Sequence, residues 1–151
     1  MREPPPWIHI ELAPLWSHIR NLRHFVREFC ISASVSHKVA DQVAMTTSEL
    51  LENATKYATT KELRFDLRAF VDRIEVSVAN RAGVAQRQTL HQFLVEVGEG
   101  EALDAYVRCL ERQGETGQSQ SGLARIRYEA GAALSVREAE DEVTVTATIP
   151  L

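Results

Sequence analysis

Cysteine is scarce in this chain. Cys30 and Cys109 are the two thiols among 151 residues, far apart and without paired-ligand spacing. That argues against a disulfide framework and against a zinc site, and it makes a reducing cytoplasm the expected compartment. Long apolar runs are missing too. No window approaches the roughly 18 apolar residues of a membrane span. The run Pro4-Pro5-Pro6 near the start has no apolar stretch behind it long enough for a signal peptide. There is no basic excess, since 17 Lys and Arg stand against 21 Asp and Glu for a formal net charge of -4. A protein that binds nucleic acid by neutralising phosphates needs the opposite balance. The five histidines, at 9, 18, 24, 37 and 91, form no close metal-binding pair. Neither nucleic acid nor membrane is therefore an expected partner.

What is present is ordinary globular material. The chain is 44% hydrophobic and 25% charged, and its length is that of one domain able to bury a core without a staple. Trp7-Ile8-His9-Ile10-Glu11-Leu12 alternates as a short strand. Leu15, Ile19, Leu22, Val26 and Phe29 follow helical spacing, with Arg20, Arg23 and Arg27 on the other side. A Ser-rich connection follows, in which Ser34 or Ser36 can cap a second helix over 35–57. Residues 62–71 and 73–79 alternate as a hairpin with one buried face. The segment 80–121 reads as a mobile, mainly helical insertion, rich in glycine and ending in a polar run. A short helix from 122 and two closing strands, 133–137 and 142–149, complete the order. The expected fold class is α/β, a two-layer α/β sandwich with helices on one face of a mixed, mainly antiparallel sheet.

The most informative stretch runs from Thr47 to Ala58. Glu49, Asn53 and Lys56 are spaced four and three apart, which stacks them on one face of a helix. Val39, Val43, Leu50, Ala54 and Tyr57 supply an apolar face at similar spacing. On spacing alone, the polar residues also read as a solvated face with a Glu52–Lys56 pair worth a few tenths of a kcal/mol. An Asn in a helix interior nonetheless invites a reason, because its amide competes for backbone hydrogen bonds.

The run Glu49-Leu50-Leu51-Glu52-Asn53-Ala54-Thr55-Lys56-Tyr57-Ala58 resembles the N-box of the histidine-kinase-like ATPase superfamily. The resemblance implies the Bergerat-type ATP-binding fold over nearly the whole chain, with ATP and Mg²⁺ as cofactors. It implies that Asn53 binds the magnesium, that Glu49 orients or deprotonates the attacking group, and that Lys56 meets phosphate. Mg²⁺ takes hard oxygen ligands and keeps waters and phosphate oxygens as the rest, so a carboxamide suits it.

Elsewhere the family pattern is degraded. Where an Asp-x-Gly-x-Gly element should receive adenine, the chain reads Asn80-Arg81-Ala82-Gly83-Val84. Asn80 can still accept from the adenine amino group, but without the charge that strengthens such a bond. Ala82 and Val84 replace the two glycines, and Gly83 falls between them. The second glycine element is Ser119-Gln120-Ser121-Gly122-Leu123-Ala124, where Gly122 and Leu123 open a helix whose N-terminus suits phosphate. Thr144, in the last strand, is the expected Thr backing the adenine pocket. Residues 85–121 are the expected lid.

No phosphoacceptor histidine helix precedes the domain, so the resemblance is to stand-alone serine kinases that act as anti-sigma factors, and within them to a SiaB-type branch that phosphorylates a STAS-domain partner. The implied partners are a STAS-type anti-anti-sigma protein and a sigma factor. The large apolar side chains of Trp7, Ile8, Ile10, Leu12 and Trp16 predict a homodimer through the first strand and helix, where members of the family also dimerise. Two other readings stand beside this one: a pseudokinase binding module with weak or no nucleotide binding, and a detached sensor-kinase catalytic domain.

Overall fold

A computed structural model describes residues 4–59, 62–116 and 121–151, with the backbone alone at 57 and 113–116. Five strands form one sheet: β1 (Trp7–Leu12), β2 (Leu63–Ala69), β3 (Arg73–Arg81), β4 (Ala133–Ala139) and β5 (Glu142–Pro150), in the order β1-β2-β3-β5-β4. All four pairings are antiparallel, in keeping with the expected α/β sandwich on a mainly antiparallel sheet. The cause lies in the connections. Two hairpins account for β2–β3 and β4–β5, and the helical crossovers return each chain segment against its neighbour's direction.

The alternation of period two is carried through. Leu63, Phe65 and Leu67 of β2, Ile74, Val76 and Val78 of β3, and Val143, Val145, Ala147 and Ile149 of β5 are all buried. They form one apolar face, and the helices α1 (Trp16–Ser32), α2 (His37–Tyr57), α3 (Val84–Gly98), α4 (Ala102–Thr116) and α5 (Ser121–Ala130) supply the other layer. Ile19, Leu22, Val26 and Cys30 bury α1 against α2 at helical spacing. The Cys30 thiol is pushed up to about 11 by that burial.

The central helix is α2. Ser36 caps it, its hydroxyl accepting from the Val39 amide at 3.2 Å. It lies between α1 and α5 and over β3, so residues 43–48, 50, 51 and 54 are all buried. The expected division into a core side and a chemistry side is thus narrower than the sequence implied: the polar stripe opens at the C-terminal half alone. α5 runs antiparallel to α2. Gln42 near the start of α2 donates to the Glu129 carbonyl at the end of α5, at 2.8 Å, while the start of α5 meets Glu49.

The expected mobile insertion is, over its described residues, two packed helices. Leu90, Val97 and Ala105 are buried, and the Tyr106 and Tyr128 rings stack at 5.8 Å. Arg127 of α5 donates to the Val97 and Gly100 carbonyls at 2.7 and 2.5 Å, which satisfies the end of α3. The polar run 117–120, including Ser119 and Gln120 of the second glycine element, lies outside the described residues.

Candidate functional site

The site is built where α2 and α5 face each other. Glu49 is half-buried, its side chain 18% exposed, and its Oε1 accepts from Arg125 Nη1 at 3.2 Å. Arg125 also donates from Nε to Glu129 Oε2 at 2.8 Å, one turn along its own helix. Gly122 faces the same carboxylate: a Cβ there would collide with Glu49 Oε2 and lie 3.2 Å from Glu49 Cδ. A side chain at 122 would therefore displace the mobile end of Glu49, so glycine lets α5 approach that carboxylate. The backbone turn makes no demand for glycine.

This contact sets the carboxylate at the N-terminal end of a ten-residue helix, where the backbone N–H groups and the positive end of the dipole favour negative charge. Leu123, buried, anchors that first turn in the core. One turn along α2, Asn53 is half-buried and Lys56 exposed. Glu52 lies within the same electrostatic neighbourhood. Burial raises its carboxyl pKa first and the Glu49 carboxylate raises it further, while Lys56, Arg23 and Arg125 oppose the rise. Two carboxylates are thus offset by three cations on α1, α2 and α5.

Asn80 arrives from β3. It is buried and belongs to the helix-facing set with Ile74, Val76 and Val78, so the strand delivers it to the helical layer. Its Nδ2 donates to the Arg81 carbonyl at 3.3 Å. That carbonyl also accepts from the Thr59 amide and hydroxyl at 2.8 and 3.1 Å, which pins the exit of α2 to the end of β3. Gly83 stands at the N-cap of α3 with an ordinary φ of -69°, so no left-handed backbone calls for glycine there. Arg87 Nη1 holds the Ala82 carbonyl at 2.5 Å from within α3.

The structure does not bring Thr144 to this place. In the β3–β5 register Asn80 pairs with Val143 and Ala79 with Thr144. Cross-strand partners share a face and successive residues alternate, so Thr144 points to the helix-free side of the sheet. There it lines a polar groove of about 520 Å³ with His9, Asp66, Ser77 and Thr146. The residue of β5 that shares the face of Asn80 is the apolar Val143. Thr144 and Asn80 thus stand on opposite faces of the sheet.

Sequence reasoning missed Arg125 and Thr59. The signal for Arg125 was a cation one turn into the helix opened by Gly122, on the side facing α2. No local signal identified Thr59, whose partner is 22 residues away.

Among the described residues, no group of three or more His, Cys, Asp or Glu side chains is arranged to hold a metal, and no helix is long and apolar enough to cross a membrane. A magnesium ion that arrives with phosphates fits the donor set better, since one neutral carboxamide then suffices from the protein.

No family model matches the sequence, and no curated protein matches it by sequence. Solved structures do match by fold. A chain of the SiaB–SiaC complex from Pseudomonas aeruginosa superposes with a TM-score of 0.73 at 16% identity, covering 95% of this chain and 89% of that one. The structure of the RsbU and RsbW domains of Rv1364c from Mycobacterium tuberculosis gives a TM-score of 0.56 at 17% identity, covering 98% of this chain and 33% of that one. With helices on one face of a five-stranded antiparallel sheet, the chain shares the fold of these structures.

Proposed function

We propose that the chain binds Mg-ATP at the junction of α2 and α5 and transfers the γ-phosphoryl group to a serine or threonine hydroxyl of a STAS-domain partner, as an anti-sigma-factor type kinase in a partner-switching pathway. The observation that carries this reading is the meeting of Glu49 and Gly122: two elements 73 positions apart in sequence converge so closely that a Cβ at 122 would push the carboxylate aside. A carboxylate set against a helix N-terminus, one turn from an Asn carboxamide, is what phosphoryl transfer asks of a protein: positioning and charge compensation.

In this reading Asn53 holds magnesium, which neutralises phosphate charge when bound. Glu49 accepts or steers the proton of the incoming hydroxyl. The backbone at Gly122 and Leu123 and the Lys56 ammonium bind phosphate, Gly83 lies at the adenine side, and the Asn80 oxygen accepts from the adenine amino group. Helices α3 and α4 form the lid. That a SiaB–SiaC complex shares the fold supports a protein partner.

Calorimetry with ATP and Mg²⁺, followed by radiolabel transfer to a STAS protein, tests the proposal. Glu49→Gln should cut transfer by about 10²- to 10⁴-fold, the usual worth of a general base, and leave Mg-ATP binding nearly intact. Asn53→Ala should instead weaken Mg²⁺-dependent binding. Transfer at the parental rate in Glu49→Gln removes the catalytic assignment. The pseudokinase reading is favoured by Val143 standing where a hydroxyl was expected and by the uncharged Asn80. It requires no transfer by the parent and partner binding unchanged in both variants.

A further inference from the structure

We infer, on the phosphoryl-transfer reading above, that Arg125 is the positioning residue of the site: it holds Glu49 Oε1 so that Oε2 is presented at the N-terminal turn of α5 to the attacking group. The geometry is specific. Arg125 takes Glu49 by Nη1 and Glu129 by Nε, so the guanidinium is fixed at two points, and a planar fork held in this way fixes the carboxylate it touches. Of the two Glu49 oxygens, Oε1 is engaged by Arg125 and Oε2 lies over Gly122. The oxygen free of Arg125 is thus the one nearest the helix N-terminus, where phosphate binds.

Charge gives a second reason. Glu49 is close enough to Glu52 to raise that residue's carboxyl pKa, and a nucleotide carries several negative charges of its own. Without compensation, the two carboxylates would repel the phosphates they serve. Arg125 supplies one of the compensating charges from α5, on the side where Gly122 carries no side chain of its own.

The test is phosphate release from Mg-ATP by the full chain, with water as acceptor. The water oxygen bonds to the γ-phosphorus as the bond from that phosphorus to the bridging oxygen breaks. ADP leaves, and the water proton passes by way of Glu49 to solvent. Arg125→Met should lower kcat by about 10- to 100-fold, the scale of a misplaced catalytic group, with little change in KM for Mg-ATP. Arg125→Lys, which restores charge without the fork, should recover part of the loss.

The deciding comparison is the double variant. If Arg125 acts through Glu49, Arg125→Met combined with Glu49→Gln is no slower than Glu49→Gln alone. A merely structural role would multiply the two losses, and that result overturns the inference, as does Arg125→Met turning over at the parental kcat. Either outcome leaves the kinase reading standing. A parent chain that releases no more phosphate than Glu49→Gln overturns the inference, and radiolabel transfer to a STAS protein decides the kinase reading separately. Thermal unfolding confirms that each variant is folded, and should Arg125→Met fail to fold, Arg125→Gln enters the same cycle in its place.

Discussion

At the scale of single residues, the site depends on an atom that is not there. Gly122 has no Cβ, and the space is taken by the Glu49 carboxylate. That obstacle is the mobile end of a side chain, so Gly122→Ala is expected to turn Glu49 aside and to leave the backbone in place. Alanine is also the better helix former, by up to about 1 kcal/mol. The expected outcome is a dissociation: transfer falls as it does in Glu49→Gln, while the thermal midpoint holds or rises. Measuring both on one preparation checks it, and unchanged transfer would detach Gly122 from the chemistry. Asn80 and Thr144 show the same sensitivity to a single position. One step along β5 decides whether a hydroxyl faces the helices or the open groove.

At the scale of elements, α1 ends in an unusual way. The Val35 amide donates to the Cys30 carbonyl and the Ser34 amide to the Ile31 carbonyl, both at 3.0 Å, which is a Schellman ending. Its left-handed position is Ser34, with φ of 66°. Glycine adopts that conformation without the Cβ penalty. Ser34→Gly should therefore stabilise the protein by about 0.5–1 kcal/mol once the greater chain entropy of glycine is subtracted, seen as a higher urea midpoint at unchanged slope. A lower midpoint would mean that the Ser34 hydroxyl matters more than its backbone.

At the scale of the whole molecule, the helical layer covers one face of the sheet and leaves apolar surface at one end. Trp16 and Phe25 of α1 are 60% and 51% exposed, whereas the exposed Trp7 shares the helix-free face of β1 with His9. Ile10, Leu12, Leu22 and Phe25 line an apolar groove between β1 and α1. Burying such side chains is worth about 1.5–3 kcal/mol each, and contiguous patches of this kind mark association surfaces. A homodimer through this end is the proposed assembly. Light scattering at micromolar concentration should give twice the chain mass, and Phe25→Glu should return it to monomer. A parental mass of one chain would remove the dimer.

The sequence by itself determined what depends on neighbours along the chain. Period two placed the strands and period 3.6 the helices. The spacing of Glu49, Asn53 and Lys56 put them on one stripe of α2, and Ser36 capped that helix, because these effects act within a turn or two of backbone. The tertiary structure decided what depends on elements meeting. Packing of α1 and α5 on either side of α2 narrowed the polar stripe to its C-terminal half. Antiparallel docking of α5 brought Arg125 and Gly122 to Glu49, from 76 and 73 positions away. The β3–β5 register turned Thr144 to the far face. Such contacts are set by how whole faces pack, and faces of similar apolar pattern can pack in more than one register. A local sequence pattern names the groups a site needs, and the packing of distant elements determines which of them share it.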